Sequence, residues 1–400
     1  MLLRRSLRAG LLLPCVAVLG LTACAVGEPL ETTDVTDTGA TLRGNVYSNL
    51  EGDTEYWWRY GETSAYGAET AHGTVEISDE EPHPVSEPVT GLTAGTTYHF
   101  QFCVKDAQES PPRICSSDGT FTTDPEPDGS HIAFVSDRGD GNDDIWAIDS
   151  NGNHATNLTE SVDFEATPVW SPDRTKIAYV ATGGVHVMDA DGTNDTTLPD
   201  TGDAFDPDWS PDGEQIAFSR CFENCAIWVM DADGSNQVAL TTHQFDDIDS
   251  SPSWSPDGTQ IAFHSDRDSI PGFGIDNIYV MDADGSDETN LTDTNDSADG
   301  EGSPAWSPDG TKIAFSAFRV DNWEIYVMDA DGSDQTNLTI DPGFDVEPTW
   351  SPDGSRIAFQ SIRDGGDTGE IYAMESDGSG QANLTDHLAD DSSPDWSSLP

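Results

Sequence analysis

The sequence has few cations. Its 400 residues include 16 Lys and Arg against 75 Asp and Glu, which gives a formal net charge of −59. Only Lys105, Lys176 and Lys312 are lysines. Such a chain repels the phosphates of nucleic acids and anionic lipid headgroups, so we expect neither as a direct partner. The excess of carboxylates favours solubility, cationic ligands or function in high salt, where screening relieves repulsion between like charges.

Long apolar runs are rare. One lies within residues 1–24, where Arg4, Arg5 and Arg8 precede an apolar stretch that is too short to span a bilayer. This pattern predicts an export signal. Its end, Leu-Thr-Ala-Cys, resembles the lipobox of bacterial and archaeal lipoproteins, which implies that Cys24 receives a lipid and becomes the mature N-terminus. The alternative is an ordinary signal peptide. We expect an exported lipoprotein, anchored in the membrane through Cys24 and facing the periplasm or cell exterior.

The chain has only six cysteines, and two of them lie in the export signal. The other four form two pairs that are close in sequence, Cys103 with Cys115 and Cys221 with Cys225. In an exported protein such pairs indicate local disulfides. A zinc site is the alternative, but no Cys-x-x-Cys spacing occurs and the pairs lie in different predicted domains, so we favour disulfides.

Residues 31–124 alternate polar and apolar side chains in short segments that are separated by Gly, Pro and Asp turns. About seven short strands in about ninety residues predict a β-sandwich of immunoglobulin-like or fibronectin type III-like design. Either Trp57 or Trp58 is expected in its core. Residues 92–98 resemble the tyrosine corner of fibronectin type III domains, which implies that Tyr98 hydrogen-bonds to upstream backbone. We expect a spacer or adhesive module.

Residues 128–400 repeat one phrase six times. The copies align on an Ile-Ala-aromatic step that recurs about every 45 residues, the period of a propeller blade rather than of a helical solenoid. Within each copy, Pro-x-Trp, Ile-Ala-Phe, Ile-Tyr-Val-Met and a segment ending in Leu-Thr predict four strands. Ser-Pro-Asp-Gly and Asp-Ala-Asp-Gly supply the turn residues between them. The isoleucines of the aligned step are Ile132, Ile177, Ile216, Ile261, Ile313 and Ile357.

The first and last copies predict that the repeats close into a ring. A lone four-stranded sheet cannot cover both of its faces, so each sheet must pack against its neighbours. The first copy lacks a Pro-x-Trp strand, whereas the chain finishes with an additional one, Pro394-Asp395-Trp396. The last strand should therefore complete the first sheet and hide its edges. The fold predicted is all-β, with a six-bladed β-propeller after the sandwich.

The repeated unit resembles the TolB-type, WD40-like β-propeller repeat over residues 128–400, although Arg174 replaces a turn glycine in the second copy. The resemblance implies a periplasmic or surface scaffold whose propeller binds other proteins. Related propellers serve as side domains of serine peptidases, and a distant group are sugar lyases. This sequence has no Gly-x-Ser-x-Gly elbow of the kind that a hydrolase would contain. The predicted domains are a signal peptide at 1–24, a linker at 25–30, a fibronectin type III-like domain at 31–124, a linker at 125–129 and the propeller at 128–400.

Function is expected where the copies differ, in the loops at one face of the ring. Phenylalanine and acidic residues recur there, and they predict an acidic collar with an apolar rim around the channel mouth. Such a collar suits a protein, a basic peptide or a cation such as Ca²⁺. The candidates are Phe164, Glu165, Phe205, Asp206, Phe245, Asp246, Asp249, Glu301, Phe344, Asp345 and Glu347.

A structural role is the alternative for the same residues, in which each phenylalanine fills a gap and each acid pairs with an arginine. Arg138, Arg267, Arg319 and Arg363 all lie six residues after the repeat isoleucine. Four arginines at one repeat position, in a chain with so few, predict a ring of structural ion pairs. The repeated Asp-Ala-Asp-Gly segments lack EF-hand spacing, so we interpret them as hairpin turns and expect no cofactor apart from the possible Ca²⁺.

These observations predict a non-enzymatic envelope lipoprotein that binds a protein or peptide through the loop face and channel mouth of the propeller. A carbohydrate-active or hydrolytic enzyme is one alternative, and it requires His186, His264 or paired channel carboxylates to converge. A purely structural acidic surface protein is the other. We expect a monomer.

Overall fold

The structure, a computed structural model, divides into two compact units, residues 1–126 and residues 127–400. Regular structure in the described residues consists of strands alone, so none of them forms a helix that would cross a membrane. The described residues are 25–33, 35, 36, 38–48, 52–77, 81–93, 95–106, 114–123, 130–139, 141–222, 224–242, 247–268, 276–292, 300–319, 322–363 and 368–397. The predicted lipidation site Cys24 and the pair Phe245 and Asp246 lie outside them.

The described residues of the first unit form nine strands in two sheets. They are β1 (Ala25–Pro29), β2 (Gly39–Ser48), β3 (Gly52–Gly61), β4 (Ala68–Glu69), β5 (Gly73–Ile77), β6 (His83–Thr90), β7 (Thr97–Asp106), β8 (Ile114–Cys115) and β9 (Gly119–Thr122). One sheet has the order β1-β2-β6, and the other has the order β4-β3-β7-β8, with β5 paired to β3 and β9 paired to β7. The linker predicted at 25–30 is wrong, because β1 pairs with β2 along its whole length.

The core of the first unit lies on one face of β3 and β7. Trp58 stacks on Phe102 with ring centroids 4.5 Å apart, and both side chains are fully buried. Trp57, the preceding residue, lies on the opposite face of the sheet and stacks on His72. The Tyr98 hydroxyl accepts a hydrogen bond of 2.9 Å from the backbone N–H of Thr93, which confirms the predicted bond to upstream backbone. The predicted disulfide Cys103–Cys115 is present and joins β7 to β8.

In the part of the second unit that the structure describes there are 24 strands. They are β10 (His131–Ser136), β11 (Asp144–Asp149), β12 (Thr156–Asn157), β13 (Glu165–Trp170), β14 (Lys176–Ala181), β15 (Gly184–Asp189), β16 (Thr196–Thr197), β17 (Ala204–Trp209), β18 (Gln215–Cys221), β19 (Cys225–Asp231), β20 (Val238–Ala239), β21 (Asp249–Trp254), β22 (Gln260–Ser265), β23 (Asn277–Asp282), β24 (Thr289–Asn290), β25 (Gly300–Trp306), β26 (Lys312–Arg319), β27 (Asn322–Asp329), β28 (Thr336–Asn337), β29 (Phe344–Trp350), β30 (Arg356–Ile362), β31 (Glu370–Glu375), β32 (Ala382–Asn383) and β33 (Asp391–Trp396).

These strands form six four-stranded antiparallel sheets. We number them in chain order: sheet 1 is β12-β11-β10-β33, sheet 2 is β13–β16, sheet 3 is β17–β20, sheet 4 is β21–β24, sheet 5 is β25–β28 and sheet 6 is β29–β32. The prediction that the last strand completes the first sheet is confirmed, since β33 pairs with β10 and places Trp396 opposite Ile132.

Apolar clusters join each sheet to the next. Between sheets 4 and 5, for example, Ile278 and Val280 pack with Trp306 and Phe315. Equivalent clusters lie at the other four steps along the chain, and a sixth joins sheet 6 to sheet 1. The six sheets therefore close on themselves, and five of the six repeated tryptophans are buried because the neighbouring sheet covers them.

The repeated turns and threonines have local structural roles. In Ser-Pro-Asp-Gly, the Ser307 hydroxyl donates to Asp309 at 2.7 Å and accepts from the Lys312 N–H at 2.9 Å, while Gly310 takes a φ of 69°. In all six sheets a threonine hydroxyl accepts from a backbone N–H at the start of the third strand, at 2.9 to 3.1 Å. The repeated Leu-Thr thus fastens the outer strand to the sheet.

Each innermost strand contains a bulge. The pairing register shifts in all six, two to four residues before the tryptophan. The residue three positions before each tryptophan has a positive φ of 46° to 57°, although none is glycine. A proline follows it, which removes a donor from a position that the bulge leaves unpaired. The bulge breaks the in–out alternation of the strand, so residues on its two sides face different surroundings.

Candidate functional site

A channel runs between the innermost strands. It is lined by three consecutive residues from each of the six sheets, the bulged residue, its proline and the residue before the tryptophan, and it encloses about 170 Å³. Four carboxyl groups lie in this lining, and no Lys, Arg or His accompanies them among the 18 residues. The carboxyl groups belong to Asp206, Asp208, Glu347 and Asp395.

The channel carboxyls hold protons more strongly than exposed carboxyls do. Burial raises the pKa of Asp208 to about 7, and the charge of Asp395 adds to the effect. Burial likewise raises the pKa of Asp395 to about 6 and raises that of Asp206 and of Glu347. The channel is therefore less negative at neutral pH than four carboxylates would make it.

All four of these carboxyls connect neighbouring sheets. Glu347 accepts a hydrogen bond of 2.9 Å from the Ser393 N–H. Asp206 accepts one of 3.3 Å from the Ser251 hydroxyl. Asp208 of sheet 3 accepts a hydrogen bond of 2.6 Å from the Trp254 N–H of sheet 4. Asp395 of sheet 1 accepts one of 2.8 Å from the Trp170 N–H of sheet 2. Sequence reasoning missed Asp208 and Asp395, which directly precede a tryptophan. A signal was available, because the other copies have Val, Ser, Ala or Thr at that position.

The predicted ring of ion pairs is present. Each of the four arginines reaches back to an acid at the start of the innermost strand of its own sheet. Each guanidinium also stacks over two aromatic rings, as Arg363 does over Phe359 and Tyr372, with 4.7 Å to the latter centroid. The pairs are Arg138–Asp391 at 2.5 Å, Arg267–Asp249 at 2.9 Å, Arg363–Asp345 at 2.7 Å and Arg319–Glu301.

The predicted acidic collar is therefore wrong for four of its members. Glu165, Asp249, Glu301 and Asp345 are at most 3% exposed, so they offer no charge to a partner. Three of them belong to the ion pairs, and Glu165 instead accepts a hydrogen bond of 2.5 Å from the Thr159 hydroxyl. The reason is the repeat register, which buries the residue five positions before each tryptophan. Asp206 and Glu347 line the channel, as described above.

The predicted apolar rim, in contrast, lies at the surface. Phe164, Phe205 and Phe344 are 60%, 46% and 48% exposed, so they do not fill gaps between sheets. Further large apolar side chains are exposed at the same end of the sheets, in loops that join the second to the third strand or one sheet to the next. These residues, which sequence reasoning did not single out, are Val162, Phe222, Ile248, Ile340 and Leu388.

We call this end of the sheets the loop face, defined by the eight residues just named. Among the described residues of the second unit, nine large apolar side chains are exposed, and only Val238 lies elsewhere, on an outermost strand. The opposite end carries the Ser-Pro-Asp-Gly and Asp-Ala-Asp-Gly turns. There, hydrogen bonds from hydroxyls and backbone N–H groups lower the pKa of carboxyls such as Asp309 and Asp284. The carboxyl groups at that end therefore stay ionised and are well solvated.

Neither of the histidines predicted for an enzyme, His186 and His264, lies in the channel lining. His264 bonds the Ser250 hydroxyl through Nε2 at 2.7 Å, but neither residue lines the channel, and burial lowers the pKa of His264 to about 4. His186 lies on β15 and pairs with Asp195 at 3.1 Å. Among the described residues, no group of three or more His, Cys, Asp or Glu side chains is placed to hold a metal ion.

A closed ring of four-stranded antiparallel sheets defines the second unit as a β-propeller. The sequence profile of the TolB beta propeller domain matches residues 96–220, 149–301 and 296–399, and the chain belongs to this family. The match begins at residue 96, directly before β7 of the first unit and ahead of the first propeller strand.

Curated relatives match part of the chain. An uncharacterised protein of Agrobacterium fabrum is 33% identical over 115 residues, which are 25% of this chain and 39% of that protein. A TolB homologue of Chlorobium luteolum is 32% identical over 128 residues, 31% of this chain and 29% of that protein. The aligned parts thus cover less than half the length of these relatives. The crystal structure of TolB from Acinetobacter baumannii has a TM-score of 0.58 at 21% identity, covering 75% of this chain and 79% of that one, which shows a shared fold.

Proposed function

We propose that this chain is a non-enzymatic scaffold of the cell envelope that binds a protein or peptide through the loop face of a six-bladed propeller. The observation that carries the proposal is the concentration of exposed apolar side chains on that face. Isolated exposed apolar residues are ordinary, but a collection on one face with polar surroundings is typical of an interaction surface.

Aromatic residues make the loop face suitable for a protein partner. Phenylalanine buries a large apolar area with few rotatable bonds, and aromatic side chains are enriched in the cores of protein interfaces. Phe164, Phe205 and Phe344 belong to three different sheets, so a partner that contacts all of them would span the channel mouth.

Charge favours a basic partner. Asp163, Asp203 and Asp386 are exposed in the same loops that carry the apolar residues, and the chain as a whole has a net charge of −59. A partner with Lys or Arg around an apolar centre would be attracted from a distance and held in register. The same charge opposes association of two copies, so we propose a monomer.

The location follows from the export signal. We propose that Cys24 carries a lipid and that the first unit, a fibronectin type III-like domain, holds the propeller away from the membrane. The two disulfides support an oxidising compartment, because such bonds persist outside the cytosol. We propose no enzymatic role, since the Ser250–His264 pair lies outside the channel and no cofactor is needed for binding.

Crosslinked co-purification from native envelopes tests the proposal. We compare the unchanged chain with the triple variant Phe164→Ala, Phe205→Ala and Phe344→Ala. The matched control carries Ile114→Ala and Val238→Ala, two exposed apolar residues outside the loop face. Circular dichroism and melting must first show that all three proteins fold equally well.

The proposal expects one or more proteins that the unchanged chain and the control capture and the triple variant does not. If all three capture the same proteins, or none, the loop face is not the binding surface. The acidic surface would then be left with a structural role.

A further inference from the structure

The third repeat lacks both residues of the ion pair that four other repeats contain. In four sheets, the sixth residue after the repeat isoleucine is the arginine that pairs with an acid at the start of the innermost strand. In sheet 3 the sixth residue after Ile216 is Phe222, and the acid is replaced by Ala204. Both members of the ion pair are thus absent together, and no buried carboxylate is left without a partner.

Phe222 is turned outward, while Arg220 stacks its guanidinium over Phe218 and Trp228, in the place that the other arginines occupy in their sheets. Phe222 is 85% exposed, whereas the arginine side chains are 10% to 17% exposed. Exposing a phenylalanine offers nothing to the fold, since its apolar surface gains stability only when it is buried. Because Arg220 fills the site over the two rings, the ring site is occupied without Phe222, whose exposed apolar surface is available to a partner.

A disulfide fixes the segment that carries Phe222. Cys221 and Cys225 lie opposite each other in the β18–β19 hairpin and are joined four residues apart. Within the closed tip, the Phe222 N–H donates to the Asn224 carbonyl at 3.2 Å. The Cys221 N–H donates to the Asp203 carbonyl at 3.0 Å, which fastens the tip to the loop before β17. A tip that is already ordered loses less conformational entropy when it binds.

The neighbouring loop adds apolar and acidic groups. Cys225 forms an isolated parallel bridge to Ile248, which is 42% exposed. The Ile248 N–H donates to a carboxylate oxygen of Asp266 at 2.7 Å. Burial raises the pKa of Asp266, and the charge of Asp247 adds to the effect. Burial and the nearby Asp266 also raise the pKa of Asp276, to about 7. Carboxyls are crowded beside the tip, so positive groups of a partner would be attracted there.

We propose that Phe222, held by the Cys221–Cys225 disulfide, is the principal anchor of the loop face and inserts into an apolar socket of a protein partner whose rim carries Lys or Arg. This inference rests on the proposed function and specifies where on the loop face most of the affinity arises. It also makes partner binding dependent on the redox state of one disulfide.

A peptide selection provides the test. The oxidised full chain is panned against a random 12-residue peptide library displayed on phage, and the recovered peptides are synthesised and measured by fluorescence anisotropy. The variants are Phe222→Ala, Phe222→Leu, and Cys221→Ser with Cys225→Ser. Val238→Ala is the matched control, because it is exposed and apolar but lies outside the loop face. Melting curves establish that each variant is folded.

We expect Phe222→Ala to bind the peptides at least about 30-fold more weakly, the loss typical of an anchoring residue, and Phe222→Leu to lie between it and the unchanged chain. Loss of the disulfide should weaken binding by about tenfold, mainly through faster dissociation. The control should bind normally, and the recovered peptides should be rich in Lys or Arg.

Three results would overturn the inference in distinguishable ways. Normal binding by Phe222→Ala refutes the anchor, and if the triple loop-face variant described above loses those peptides, the proposed function still stands. Weak binding by Phe222→Ala with normal binding by the serine variant refutes the role of the disulfide. Recovery of no peptide above background refutes both the anchor and the proposed function.

Discussion

Replacing Arg363 tests whether the ion pairs are part of the fold. Arg363→Met keeps the aliphatic stem and removes the guanidinium that lies 2.7 Å from Asp345, whose side chain is 0% exposed. Removing one partner of a buried pair costs about 3–5 kcal/mol because it leaves a charge buried without compensation. The Ser361 hydroxyl still donates to Asp345, so we expect the lower end, about 3 kcal/mol. At about 2–4 °C per kcal/mol, the propeller should melt about 6–12 °C lower.

A double variant separates the pair from the loss of packing. Arg363→Met with Asp345→Ala removes both charges, as the third repeat does with Phe222 and Ala204. Replacing a buried ion pair by apolar groups is often close to neutral, so we expect the double variant to recover about 2 kcal/mol of the loss. Lys312→Met is the control, because the Lys312–Asp329 pair is exposed and should contribute less than about 1 kcal/mol.

Thermal melts of the unchanged chain, the single variant and the double variant measure these losses. Equal melting of the single and double variants would refute a buried, coupled pair.

Three further predictions concern the channel, the first unit and metal ions. Between about pH 4 and pH 7 the folded state holds a proton on Asp208 that the unfolded state has released, so stability falls as pH rises. Asp208→Asn should reduce this fall by up to about 1.4 kcal/mol per pH unit. Urea unfolding at several pH values measures it, and an unchanged dependence of the unfolding free energy on pH would assign the proton to another group. Tyr98→Phe should destabilise the first unit by about 1 kcal/mol, since the Thr93 N–H loses its acceptor, and a melting transition like that of the exposed-site control Tyr47→Phe would contradict this. Calcium should raise the melting temperature no more than magnesium at matched ionic strength, and a specific rise with calcium would reveal a metal site.

Repetition explains how much of the fold could be predicted. Six copies of one phrase align strand with strand, so a position such as that of Arg363 can be interpreted from its equivalents, and the unpaired last strand implies closure. The bulge before each tryptophan limited the prediction of the site. It interrupts the two-residue alternation, so counting from Trp209 or Trp350 does not tell whether Asp208 or Asp345 faces the channel or the arginine.

Departures from the repeat were the other missed signal. Residues that recur in every copy indicate the scaffold. Phe222 is informative because it occupies a position where four other copies have arginine. Comparing the copies column by column would have paired Phe222 with Ala204 before any coordinates were known. The 85% exposure of Phe222, however, depends on the hairpin geometry and on the disulfide. The composition of the sequence and the period of its repeat do not determine it.

The closing strand also sets the order in which this protein can fold. His131 in β10 and Ser397 after β33 are hydrogen-bonded although they lie 266 positions apart. Bringing such distant segments together costs about 5 kcal/mol of chain entropy at the scale of a few hundred residues. During synthesis from the N-terminus, sheets 2 to 6 can assemble in turn, while sheet 1 waits with an open inner edge. An exported chain would carry that edge until its last residues arrive, and during this interval a chaperone or a competing strand could pair with it.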